Sequence, residues 1–178
     1  MKRVVILLSI ILIVFPAFCA ASYKPKAEVG FGAEFYHSSV AAESIHFRTS
    51  MYFGGDIVPV NFDTGRLGFG AGISLSYTTR SLAYGYTIIK PYFSFGPVLG
   101  IDLHFSRVFT MGFRTRLMFC YMGPVYVDKF VAIEVGLVPA FKLVSKNRFD
   151  LSILAPLTEV FRKDGYCLRF GVGAGITI

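Results

Sequence analysis

The sequence predicts an all-β chain: an eight-stranded antiparallel up-and-down transmembrane β-barrel. Three observations carry that prediction. Apolar residues recur at every second position in a series of separate stretches, and tight polar turns alternate with longer loops between them. Beyond an N-terminal leader, no apolar run reaches the roughly 18 residues that would mark a membrane-crossing helix. A closed barrel is the other structure that satisfies all of its backbone hydrogen bonds in lipid.

The leader comes first. Lys2 and Arg3 precede an apolar run from Val4 to Phe15, then Pro16 and the small residues up to Ser22. That order is the one of a secretory signal peptide, with cleavage expected after Ala21, so the domains are residues 1–21, removed, and 22–178, the barrel. Lys plus Arg number 18 against 11 Asp plus Glu, a formal charge of +7 that falls to about +5 once the leader is gone. Apolar residues make up 54% of the chain, which excludes disorder. Charged residues are only 16%, against roughly 25% in soluble domains, so something apolar is expected to face this protein.

The strands follow in order. Ala27 to Tyr36 alternates Ala27, Val29, Phe31, Ala33 and Phe35 against Glu28, Gly30, Gly32 and Glu34. Met51 to Phe62 is less regular, broken by Gly54, Gly55 and Pro59, where a bulge is expected. Leu67 to Thr78 sets Leu67, Phe69, Ala71, Ile73, Leu75 and Tyr77 against glycines and serines. The same pattern returns in Phe93 to Leu103, Phe109 to Tyr121, Val131 to Leu143 and Tyr166 to Ile178, while Asp150 to Val160 is interrupted by Pro156, where a bulge is again expected. Tight turns fall at Asp63 to Arg66, around Phe105 to Arg107 and at Ser145 to Arg148. The connections near His37 to Thr49, Thr79 to Gly85, Met122 to Lys129 and Phe161 to Gly165 are longer on average. About 157 mature residues give about 20 per strand with its connection, the size of the smallest transmembrane barrel.

Which face looks outward separates a soluble barrel from a membrane one. Apolar side chains turned inward would leave a glycine-rich surface with few charges to keep it in solution, so the apolar face is expected to meet lipid. Tyr36, Tyr52, Tyr77, Tyr121 and Tyr166 lie near the longer loops and are expected to form an outer aromatic girdle. Phe62, Phe105, Phe109 and Phe149 would form the opposite one. The inward face then carries Glu28, Glu34, Asp102, Arg114, Arg116, Glu134 and Arg169. Pairing by connectivity sets Glu34 beside Arg169 and Arg116 beside Glu134, since isolated charges in a narrow lumen would be costly. The expected result is a salt-bridged plug in a barrel too narrow for an open channel.

Catalysis has thin support. His104-Phe105-Ser106 carries a His-x-Ser spacing, but at a turn on the side away from any outer-leaflet lipid, and His37 and His46 have no Asp-Ser partner in another outer loop. No metal site is expected from three dispersed histidines, and no cofactor. Cys120 and Cys167 are expected inward on non-adjacent strands, too far apart to bridge. The glycine repeats are strand positions, so no phosphate loop or nucleic-acid module is expected.

In these features the chain resembles the small eight-stranded outer-membrane proteins of diderm bacteria, the OmpA-transmembrane, OmpX and OmpW group. The resemblance covers nearly the whole mature sequence and lies in pattern and size. Members end in a signal read by the barrel assembly machinery, and Gly173, Ile176 and Ile178 match its spacing, although Ile178 stands where an aromatic is usual. The resemblance implies an outer-membrane location, lipids, periplasmic chaperones and the assembly machinery as partners, and a monomer. The residues and the resemblance together are read first as a structural or surface-interaction barrel, second as a narrow porin or transporter of the OmpW kind, and third, from the His-x-Ser spacing alone, as a lipid A acyl-modifying enzyme. The loops look too short for a large protruding sheet.

Overall fold

The computed structural model describes residues 22–38, 48–79, 81–83, 86–89, 91–122, 128–146, 149–162 and 165–178. The leader and its expected cleavage site lie outside the described residues. The barrel strands are β1 (Lys26–Ser38), β2 (Arg48–Asp63), β3 (Leu67–Thr78), β4 (Tyr92–His104), β5 (Phe109–Met122), β6 (Asp128–Lys146), β7 in two pieces (Phe149–Leu154 and Leu157–Arg162), and β8 (Gly165–Thr177). Each pairs antiparallel with the next. The ring closes where β8 meets β1, in unbroken register from Gly165 opposite Ser38 to Thr177 opposite Lys26. A small hairpin, Ser81–Ala83 with Tyr86–Ile89, sits between β3 and β4. At the turn end, Ser22–Tyr23 pairs with the end of β2.

Period-two side chains place one face of each strand outside and the other inside. Outside, large apolar residues such as Phe31, Ile73, Leu99, Val135 and Phe170 are exposed. Inside, Glu28, Glu34, Asp56, Asp102, Arg114, Glu134 and Arg169 are buried. This is a soluble protein turned inside out, and lipid is the solvent in which such an exterior is stable.

The irregular strands resolve differently. In β2 the register steps from Ile57 opposite Ile73 to Val60 opposite Ala71, so a bulge sits at Val58-Pro59. Proline lacks an N–H and fits where the ladder is already interrupted. The bulge switches parity: Tyr52, Asp56 and Val58 are buried before it, and Asn61 after it. The bulge expected at Pro156 is absent. Leu154 stays opposite Ala140 and Gly173, and Leu157 opposite Leu137 and Phe170, while Ala155 N donates to Pro139 O (2.9 Å) and Gly171 N to Pro156 O (3.1 Å). The extra residue lies instead on β6 at Leu143, because Leu151 faces Val144 and Ser152 faces Lys142.

Close approach at the closing seam requires glycine. A Cβ on Gly32 would stand 2.1 Å from Phe170 O and 2.5 Å from the Cα of Gly171, its register partner. Gly32→Val is therefore expected to hold β8 away from β1. Measured as the fraction of protein showing faster gel mobility without boiling, folded barrel should fall several-fold, whereas exposed Val172→Ala on the same seam should leave it near the native level.

Candidate functional site: the barrel interior

The interior is built in layers, and each layer follows from strand parity and register. At the turn end, Lys26, Glu28, Asp102 and Arg114 form one network. Lys26 Nζ lies 2.6 Å from Glu28 Oε1 and 2.8 Å from Asp102 Oδ2. Arg114 reaches Asp102 Oδ1 and Glu28 Oε1, each at 2.8 Å. Below it, at the mouth, Lys24 pairs with Asp63 at 2.8 Å and Lys142 with Asp150 at 2.8 Å.

Half way up, Arg116 holds Asp56 with two charge-assisted hydrogen bonds, Nε to Oδ1 at 3.0 Å and Nη2 to Oδ2 at 2.7 Å. Arg116 is also the register partner of Glu134, but their closest approach is 3.8 Å. A cavity of about 60 Å³ lies at this level, lined by Asp56, Ser74, Ser76, Arg116, Glu134 and Arg169 among others. It is large enough for a few water molecules and is lined by groups able to bind them.

Towards the long loops, Arg169 organises a second network. Its Nε donates to Glu34 Oε2 at 2.6 Å, its Nη1 to Glu134 and its Nη2 to the Tyr92 hydroxyl at 2.7 Å. Tyr92 in turn donates to Glu34 Oε2 at 2.8 Å. Above this lies an apolar cap of Tyr92, Met118, Cys120, Ala132, Val160 and Cys167, with Met122 and Phe130 packed on it. Arg162 stacks over the rings of Tyr92 (4.5 Å) and Phe130 (4.7 Å).

The structure thus places Glu28, Glu34, Asp102, Arg114, Arg116, Glu134 and Arg169 inside, but divides them between two networks and a middle pair. Glu34 and Arg169 meet directly, whereas Arg116 spends its planar fork on Asp56 and leaves Glu134 to Arg169. Asp56 is missed by sequence reasoning because Gly54 and Gly55 blur the alternation around it; counting parity forward from outward Met51 and Phe53 puts position 56 on the inward face. The apolar cap is missed for another reason. The inward face of β5 reads Thr110, Gly112, Arg114, Arg116 and then Met118, Cys120, Met122, so its polarity ends part-way up the strand. Cys120 and Cys167 both lie in that cap, brought to one cluster by barrel closure.

Tyr52 is a correction. It is not part of an outer girdle but 8% exposed inside the barrel, under the Arg169 guanidinium at 5.3 Å. Gly32 faces it across β1–β2, and a Cβ on Gly171 would stand 2.8 Å from its hydroxyl, so the ring fills space those glycines leave. Tyr77, Tyr121 and Tyr166 lie on the exterior; the side chain of Tyr36 is outside the described residues. At the other end Phe105, Phe109 and Phe141 lie in a row with their rings tilted to one another, 5.9 and 4.9 Å between neighbouring centroids. Gly173 pairs with Gly30 in the seam, and Ile176 and Ile178 point outward.

His104 and Ser106 do not form a catalytic pair. His104 turns inward to Thr110 (2.9 Å) and Asp63 (3.3 Å). Ser106 Oγ accepts from Phe109 N (2.9 Å) and Val108 N (3.2 Å), closing the turn. His37 and His46 fall outside the described side chains.

An apolar exterior around a charged, filled interior defines a transmembrane β-barrel, and its eight strands place it in the fold of the small outer-membrane barrels. No family model and no curated protein sequence matches the chain. Among solved structures it is similar to Ail, the attachment invasion locus protein of Yersinia pestis, with a TM-score of 0.55 at 9% identity, covering 88% of this chain and 99% of that one. A second structure of Ail, in complex with the heparin analogue sucrose octasulfate, gives the same values. Neisserial surface protein A is similar with a TM-score of 0.52 at 13% identity, covering 89% of this chain and 99% of that one.

Two expectations follow from the geometry. Arg169→Met removes the close charge partner of both Glu34 and Glu134, leaving Glu34 the Tyr92 hydroxyl and Glu134 only Arg116 at 3.8 Å, and should lower the unfolding free energy in urea by about 3–5 kcal/mol. Glu159 stands exposed on the exterior between Leu157 and Phe161, in register with Val135 and Leu168. A carboxylate facing lipid is unfavourable, so Glu159→Leu should raise stability in the same assay by about 1 kcal/mol; lowered stability would mean that this face meets water.

Proposed function

We propose that the chain is exported by its leader to the outer membrane of a diderm bacterium, where it acts as a closed, monomeric barrel that presents its longer loops to the surroundings as a surface-interaction protein. The observation that carries this reading is the doubly sealed lumen: an ion-pair network at the turn end, and a second network beneath an apolar cap at the loop end. A rigid, filled barrel holds loops in place and offers no continuous water path. The names of the similar proteins, an attachment invasion locus protein and a surface protein, fit that role. Gly173, Ile176 and Ile178 would be read by the barrel assembly machinery after periplasmic chaperones deliver the chain, and the partners in place are outer-membrane lipids.

The runner-up is a narrow, gated pore, favoured by the cavity of about 60 Å³ between the networks. Planar-bilayer recording separates the two. The native protein should show no steady openings; regular single-channel steps that change size in Glu134→Gln would overturn the closed-barrel reading. The chain is further proposed to have no enzymatic activity: lipopolysaccharide incubated with purified protein should keep its acyl count by mass spectrometry, and a lost or added chain would refute this.

A further inference from the structure

The turn end carries a cleft that the closed-barrel reading does not use. It lies between the N-terminal segment and the turn-side ends of β6, β7 and β8, has a volume of about 600 Å³, and is lined by Tyr23, Lys24, Lys142, Lys146, Phe149 and Ile178 among others. Its two sides differ in chemistry. Phe149 and Ile178 are exterior residues at the edge of the lipid-facing surface. Lys24, Lys142 and Lys146 supply positive charge.

The bulge at Leu143 creates this arrangement. Unbroken period-two alternation from inward Lys142 would turn Lys146 towards the lumen. With the extra residue, Lys146 becomes the register partner of Phe149 on the outer face, and Ser145 turns in to donate to Asp150 at 2.6 Å. Lys142 already holds Asp150, and Lys24, its side chain 40% exposed, holds Asp63. Exposed Lys146 has no ion-pair partner among the described residues. A lysine at the border of an apolar belt, beside an aromatic ring and above a cleft of ligand size, matches an amphiphile with an anionic head and hydrocarbon tails. Short turns face the periplasm in such barrels, so the leaflet at this level is the inner, phospholipid one.

We propose that this cleft is a binding site for the headgroup of an anionic phospholipid of the periplasmic leaflet, with its phosphate between Lys146 and Lys24 and its acyl chains running up the exterior past Phe149 and Ile178. The Leu143 bulge acts as the positioning device.

The test is electron spin resonance of the full-length mature protein in phosphatidylcholine bilayers containing spin-labelled phosphatidylglycerol or spin-labelled phosphatidylcholine. Phosphatidylglycerol should associate at least about fivefold more strongly, about fivefold being the order expected for each lysine near an anionic surface, and the preference should shrink in 1 M salt. Lys24→Gln with Lys146→Gln should abolish it, whereas Arg66→Gln with Arg107→Gln, on exposed turns elsewhere on the rim, should leave it intact. Gel mobility without boiling confirms that each variant is folded. Equal association of the two lipids with the native protein would overturn the proposal. So would a preference that survives the lysine changes and disappears with the arginine ones.

Discussion

Closure of β8 onto β1 is the constraint from which the remaining features follow. In hydrocarbon an open sheet edge would leave a row of N–H and C=O groups with no partner, so the ring either closes completely or the chain does not reside in lipid. Closure in turn fixes the lumen. Eight strands enclose a space that side chains must fill, and they must fill it from an inward face that already carries many of the chain's charges. Gly32 and Gly171 let the two seam backbones approach, and the room they vacate is taken by Tyr52.

Charge inside so small a space is tolerable only as networks. Arg169 illustrates this: one guanidinium serves Glu34, Glu134 and Tyr92, elements far apart in sequence that closure brings to one point. Arg114 does the same between Glu28 and Asp102. Each planar fork has enough donors to satisfy two carboxylates, which a single lysine could do only as a point charge. The networks therefore seal and register the barrel together, since slipping any strand by one residue would send its charges to the lipid face.

Irregularities are positioned where they redirect side chains. The bulge at Val58-Pro59 moves the interior parity of β2 so that Asp56 and Asn61 both point inward. The one at Leu143 turns Lys146 outward at the membrane border and Ser145 inward to Asp150. Proline does not mark both. Pro59 sits in a bulge, whereas Pro156 lacks only a donor: its carbonyl accepts from Gly171 N, and Pro139 O accepts from the preceding Ala155 N.

The amino-acid sequence by itself determined the strand number, the antiparallel order, which face is apolar and the adjacency of Glu34 to Arg169, because each depends on local alternation and on which strands are consecutive. Only the tertiary structure decided that Asp56, not Glu134, takes the fork of Arg116, that Tyr52 lies inside, and that the loop end of the lumen is apolar. Those outcomes depend on contacts across the barrel and on a parity shift of one residue. Periodicity records which way a side chain points from its own strand, but what it meets across the lumen is set by the stagger and curvature of all eight strands together.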